Sequence, residues 1–139
     1  MRVDNWASQL DSVVKEIVQK DKFEYGKNDC ITFTLKCIET ITGKKVFDYK
    51  WKSLKDGKEI IKKLKQKDLL GIALHIAKEN NFKLVNISKV QKGDVLYYKN
   101  DYDWDGTLGV CLGEVTMFNW QKGINLVKND QCKFAWRIE

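Results

Sequence analysis

A chain of 139 residues, 43% hydrophobic and 12% aromatic, carries enough apolar material for one folded core and too few residues for two ordinary domains. The formal charge of +6 raises nucleic acid as a partner, but nearly all the basic residues are lysines, and only Arg2 and Arg137 offer the bidentate geometry that specific readers use. The charge therefore reads as a lysine-biased, solvated surface, and nucleic-acid binding through the lysine-rich stretch 44–67 ranks last among the functional classes.

The chain has no proline, no Gly/Ser tract and no internal repeat, so a single domain over 1–139 is expected. The N-terminal segment is charged and amphipathic, and no apolar run is long enough to span a bilayer; neither a signal peptide nor a membrane partner is expected. The four cysteines form no Cys-x-x-Cys motif. Cys30 and Cys37, two helical turns apart, are separated by about 10 Å along a helix axis, too far for a disulfide. Reduced thiols in a reducing compartment are the expectation.

In chain order, Trp6, Leu10, Val13 or Val14 and Ile17 recur at helical spacing, with Asp4 as a cap, and predict a helix over about 5–19. The stretch FEYGKNDCITF, residues 23–33, then delivers a cysteine to the first turn of a second helix. Asn28 and Asp29 are good cap residues, Gly26 permits a sharp approach, and Thr42-Gly43 supplies the stop, so this helix should run from about 29 to 41. At about 100° per residue, Cys30, Phe33, Cys37 and Ile41 share one flank and Ile31, Leu35 and Ile38 the next. Only Thr32, Lys36, Glu39 and Thr40 form a polar strip, so the helix should be buried and central. The helix dipole at Cys30 favours a thiolate, and the neighbouring Asp29 opposes it.

Residues 46–53 read as a loop whose Phe47, Tyr49 and Trp51 pack back on the domain. A lysine-rich helix over about 57–65 is anchored by Ile60, Ile61 and Leu64, and another over 68–80 buries Leu69, Leu70, Ile72, Ala73, Ile76 and Ala77. His75 falls on the polar arc of that helix with Gly71, Lys78 and Glu79, which makes it a surface histidine. From Phe82 the pattern changes to short β-type runs, predicting a meander of five or six antiparallel strands. Helices first and strands afterwards define an α+β domain with the sheet packed on the cysteine helix. In DYDWDG, Asp101, Asp103, Asp105 and Gly106 sit at the first landmark spacings of a calcium loop, but Leu112 stands where a bidentate glutamate is needed. An acidic hairpin tip is the expected reading, a weak metal site there the alternative, and no cofactor is expected.

FEYGKNDCITF resembles the Tyr-Gly-x-x-Asp-Cys segment of the NlpC-type cell-wall peptidases of the papain-like superfamily. KGDVLYY followed by TLGVCLGE is similar to that family's Gly-Asp-Leu strand followed by its His-Val-Gly strand. A narrower resemblance, over nearly the whole chain, is to short phage-encoded proteins of unknown function in that superfamily, which end in an Ala-Trp-Arg strand as this chain does at 135–137. The resemblance implies a papain-like fold with Cys30 in the place of the nucleophile and Tyr25 in that of the tyrosine supporting the oxyanion. The histidine's place falls at Thr107, or one residue to either side at Gly106 or Leu108, and none of these can act as a base. General-base assistance contributes typically about 10² to 10⁴ in rate, so its loss cripples thiol chemistry. The expectation is a non-catalytic pseudoenzyme: a phage virion or tail-associated protein used for binding or assembly. It would be made in the host cytoplasm and carried in the virion, with other virion proteins, itself or a cell-wall peptide as partner. The alternative is an active Cys30-dependent amidase or endopeptidase whose base is unidentified or supplied by another chain.

Overall fold

Side chains that take up the first N–H groups set where the helices begin. In the computed structural model, which describes residues 1–19, 22–101, 104–120 and 123–139, helix α1 (Trp6–Val18) starts after Asn5, which adopts a left-handed φ of 58° without a side-chain cap. The other three are capped in the usual way. Asp29 accepts from the Thr32 N–H at 2.7 Å to open α2 (Cys30–Thr42), Ser53 from Asp56 at 3.1 Å to open α3 (Leu54–Lys63), and Asp68 from Gly71 at 3.0 Å to open α4 (Leu69–Asn80). Gly43, at φ 73°, ends α2 as expected.

Helix α3 begins three residues before its predicted start. Ser53 is the cap, and Gly57 lies inside the helix because the Trp104 indole rests on it: a Cβ at Gly57 would stand 2.6 Å from the ring. The glycine answers a packing demand rather than a turn.

Six strands follow: β1 (Lys83–Val85), β2 (Val95–Lys99), β3 (Gly106–Cys111), β4 (Val115–Trp120), β5 (Gly123–Lys128) and β6 (Phe134–Arg137). They form one antiparallel sheet in the order β1-β6-β2-β3-β4-β5. The expected meander holds for β2 to β5 only, because β6 inserts between β1 and β2. A buried ion pair accompanies that insertion. Arg137 on β6 donates from Nε to Asp94 Oδ1 at 2.7 Å and from Nη2 to Oδ2 at 3.0 Å, and the fully buried carboxylate also accepts the Gln91 N–H at 2.8 Å.

Helix α2 lies on β3 and the adjoining part of β4, with α1 against it and α4 reaching β3. The main core fills the space between helices and sheet, with Val95, Tyr97, Leu108, Val110, Met117 and Trp136 pointing to the helices. The alternate residues, Leu96, Cys111, Phe118 and Ala135, join Cys132 in a smaller cluster on the outer face, partly covered by Ile87 and Val90. Strand β3 is therefore buried on both faces, and its six residues show no polar alternation. No helix among the described residues is long and apolar enough to cross a membrane.

Candidate functional site

Cys30 is the first residue of α2 and only 6% exposed. What holds it there is the residue before it. Asp29 is fully buried and its carboxylate is saturated by N–H donors: Oδ1 accepts from Thr32, and Oδ2 from Gly26 at 2.7 Å and from the Trp51 indole at 2.6 Å. The Thr32 hydroxyl in turn accepts the Asp29 N–H at 2.9 Å, which completes a reciprocal capping box. A carboxylate so occupied is an architectural anchor for the turn and the helix start.

Gly26 is required on two counts. Its φ is +80°, and a Cβ there would lie 1.7 Å from the Trp51 carbonyl oxygen. The turn over 24–28, closed by the Asn28 N–H to Glu24 carbonyl bond at 2.7 Å, is thus pressed onto the loop that carries Trp51. Two aromatics of that loop pack inward as the sequence suggests, Phe47 lying edge-on to the buried Trp51 at 6.4 Å between centroids, while Tyr49 rests on Phe47 at 5.0 Å with Lys63 over its ring. Tyr25, for which the resemblance implies the oxyanion-supporting place, is half-buried among rings, edge-on to Phe23 at 4.9 Å and to Trp104 at 5.7 Å.

Thr107 lies in β3 opposite Tyr98 and is 2% exposed, and its hydroxyl has no hydrogen-bond partner among the described residues. The pleat turns it to the outer face of the sheet with Gly109 and Cys111, away from α2; Gly106 and Leu108 hold the helix-facing positions at this end of the strand. The structure therefore brings Cys30 and Tyr25 to one end of α2 and puts Thr107 across the sheet from them. His75, the sole histidine, is on the solvent side of α4 with its Nε2 3.9 Å from Glu79. It is the surface residue its arc indicates.

The sheet does send a polar side chain to the cysteine segment, one that periodicity does not mark. The Asn119 amide of β4 donates to Asn28 Oδ1 at 2.7 Å, both residues being buried, and Asn28 donates to the Lys22 carbonyl. Continuing the β3–β4 register by one step from Gly109 and Phe118 sets Asn119 beside Leu108. An amide is neither a base nor an acid at neutral pH, so this contact ties β4 to the start of α2 without activating a thiol.

Trp104 was hidden in the acidic motif. It is buried, packs on Gly57 and donates from its indole to the Leu54 carbonyl at 3.4 Å. Asp105 spends its carbonyl on the Tyr97 hydroxyl at 2.9 Å, Asp101 is exposed, and Asp103 lies outside the described residues. Among the described residues no three His, Cys, Asp or Glu side chains gather as a metal site.

The other cysteines are core residues. Burial pushes the Cys37 thiol well above its usual range, raises Cys111, and lifts Cys132 to about 11. All four cysteines are buried and none is in a disulfide.

Fold and site together define an α+β domain in which a capped cysteine helix is laid on an antiparallel sheet, with an amide rather than an imidazole reaching from the sheet to the cysteine segment. Residues 1–138 match a family described as a domain of unknown function, DUF6950, and the chain belongs to it. No curated protein matches the chain.

Proposed function

We propose that this chain is a non-catalytic descendant of the NlpC-type, papain-like cysteine peptidases, serving as a phage virion or tail-associated protein through binding or assembly. The observation that carries this reading is the position of Thr107. Of the three positions the resemblance offers for the histidine, Thr107 points to the outer face of the sheet, and the two that face the helices are Gly106 and Leu108, neither of them a base, while Cys30 lies under the inner face at the start of α2. The other candidates for a base are poorly set for the role: Asp29 holds three N–H donors, His75 lies 3.9 Å from Glu79 on α4, and Asp105 is exposed rather than in an apolar setting. The capping turn, Gly26 and Trp51 then account for the Tyr-Gly-x-x-Asp-Cys resemblance as the framework of a fold that outlived its chemistry. The position of Cys30 at a helix N-terminus favours the second reading, a hydrolase completed by another chain's base.

The deciding experiment is the pH dependence of alkylation at Cys30, read by mass spectrometry of the intact and digested protein, alongside incubation with muropeptides. The expected result is slow labelling in step with Cys37, Cys111 and Cys132, and no cleavage. One fast thiol with an apparent pKa well below 8, together with muropeptide turnover, would replace this reading with the hydrolase.

A further inference from the structure

The sheet ends on β5, which is bonded to β4 on one side and has no strand partner among the described residues on the other. This edge has six residues, against three in β1 at the opposite end of the sheet. Natural edges are blunted by charge, proline, bulges or brevity. In β5 the register with β4 is unbroken over all six residues, and its one charged side chain, Lys128, is at the end. Two of its side chains are large, apolar and open to solvent, Ile124 at 36% and Leu126 at 62% exposed. Both lie on the helix-facing side, because they pair with Asn119 and Met117 of β4.

We propose that β5 is a self-association edge, and that a second copy of this chain adds its own β5 in antiparallel fashion to make one continuous sheet of twelve strands, twice the six of each copy. The sequence of the strand is self-complementary in one register. When Asn125 faces Asn125 across the two-fold axis, Ile124 of each copy falls opposite Leu126 of the other, on the same face, because residues paired across an antiparallel ladder share a face. The two most exposed apolar side chains of β5 then cover one another twice, and the Asn125 amides meet on the outer face. A shift of one residue would set Leu126 and Ile124 against outer-face positions and lose both pairs. The closed two-fold arrangement stops at two copies, whereas β5 joined to β1 would propagate into a chain of molecules.

The contact is small. Edge pairing of six-residue strands belongs to the lower end of the interface range, below about 1,200 Å² in total, so the dimer forms at high protein concentration or where copies are already gathered. Each copy carries +6, and Lys128 closes the paired segment at both ends, so added salt strengthens the association by screening. This inference rests on the free edge and does not depend on the peptidase ancestry.

The test is sedimentation equilibrium of the full chain over a range of protein and salt concentrations, with the variants Leu126→Glu, Leu84→Glu and Asn125→Cys. A monomer–dimer equilibrium that tightens with salt is expected. Leu126→Glu should raise the dissociation constant on the order of tenfold or more, with an unchanged circular dichroism spectrum because the side chain is exposed. Leu84→Glu, on the other edge, should leave the dimer intact. Asn125→Cys should cross-link to a covalent dimer under mild oxidation, since the native cysteines are buried. A strictly monomeric chain whose Asn125→Cys variant does not cross-link overturns the proposal, as does association that survives Leu126→Glu, yields to Leu84→Glu, or continues past two copies.

Discussion

The Trp51 indole donates a 2.6 Å hydrogen bond to the buried Asp29 carboxylate, joining the loop after α2 to the cap that starts it. One acid therefore does three things: it caps the helix, holds the Gly26 turn and seats a tryptophan. Asp29→Ala strands three N–H donors, the Trp51 indole buried and the Gly26 and Thr32 amides partly so, and a donor left unpaired on burial costs about 1–3 kcal/mol. The expected loss of unfolding free energy is about 3–5 kcal/mol, measured by urea denaturation. Asp29→Asn also destabilises, because its NH₂ must face at least one N–H that now meets an oxygen. Trp51→Phe should cost about 1.5–3 kcal/mol. The double variant should lose less than the sum, since both changes break the same bond.

Gly26 and Gly113 separate backbone strain from steric overlap. Both have positive φ, +80° and +134°, but a Cβ at Gly113 meets nothing within 4 Å whereas one at Gly26 overlaps the Trp51 carbonyl oxygen. Gly113→Ala should cost about 1–3 kcal/mol, the range for a residue held in a sparsely populated conformation. Gly26→Ala should cost more than that and release the Trp51 loop, seen as a red shift and quenching of tryptophan fluorescence before global unfolding.

The contrast between these glycines marks how far the sequence could be read. Caps and stops are local, so Asp29, Asp68 and Gly43 announced their helices to within a residue or two. Ser53 is not legible as the cap because the apolar anchors Ile60, Ile61 and Leu64 place the helix only from about 57, and only the long-range contact with Trp104 explains a glycine inside α3. The strands were legible as runs, but the insertion of β6 was not, because periodicity says nothing about which strand sits beside which. The Asp94 to Arg137 pair spans 43 residues; its two members stood in the Gly-Asp and Ala-Trp-Arg segments singled out in the sequence, yet nothing local joins them. At the site, spacing marked Cys30 and its cap, while the face to which Thr107 points depends on the pleat of β3 and required coordinates.

The Asp94 to Arg137 pair should be costly to halve. Asp94 is fully buried, and removing the guanidinium leaves its charge uncompensated. Arg137→Ala is expected to lose about 3–5 kcal/mol, with β1 and β6 losing amide-exchange protection first. Arg137→Lys keeps the charge but not the two-pronged geometry, and should recover only part of that loss. The same pair raises the Arg137 pKa above an already high value. Stability from that shift disappears only as pH climbs beyond the ordinary arginine range, so it adds no slope at working pH.

Alkaline sensitivity should come from the thiols. Cys132 titrates near 9.0 in the unfolded chain and about 11 in the fold, raised chiefly by burial, so the unfolded state loses its proton first. The stabilisation is full below pH 9, falls as pH rises from 9 to 11, and amounts to up to about 3 kcal/mol at 1.36 kcal/mol per pKa unit. Cys37 and Cys111 are shifted in the same direction. Unfolding free energy followed from pH 7 to 11 should therefore drop steeply above 9, and Cys132→Ala, though less stable throughout, should show a shallower slope. A slope unchanged by that variant would assign the alkaline transition to other groups.

Placing a histidine where the resemblance puts one offers a direct check on the geometry of β3. If sequence position alone decided function, Thr107→His would rebuild a Cys–His pair. The pleat sends that side chain to the outer face, against its cross-strand neighbour Tyr98 and away from α2. The larger imidazole must fit where a threonine is 2% exposed, so the variant should lose about 1–3 kcal/mol, with Cys30 alkylation unchanged at every pH. Leu108→His faces α2 instead and enters the main core. It should destabilise by about 2–5 kcal/mol, the range for losing a buried leucine, yet it is the variant with the geometry to bring an imidazole toward the cysteine helix. Faster alkylation in Thr107→His than in Leu108→His would mean that the inner and outer faces of β3 have been assigned the wrong way round.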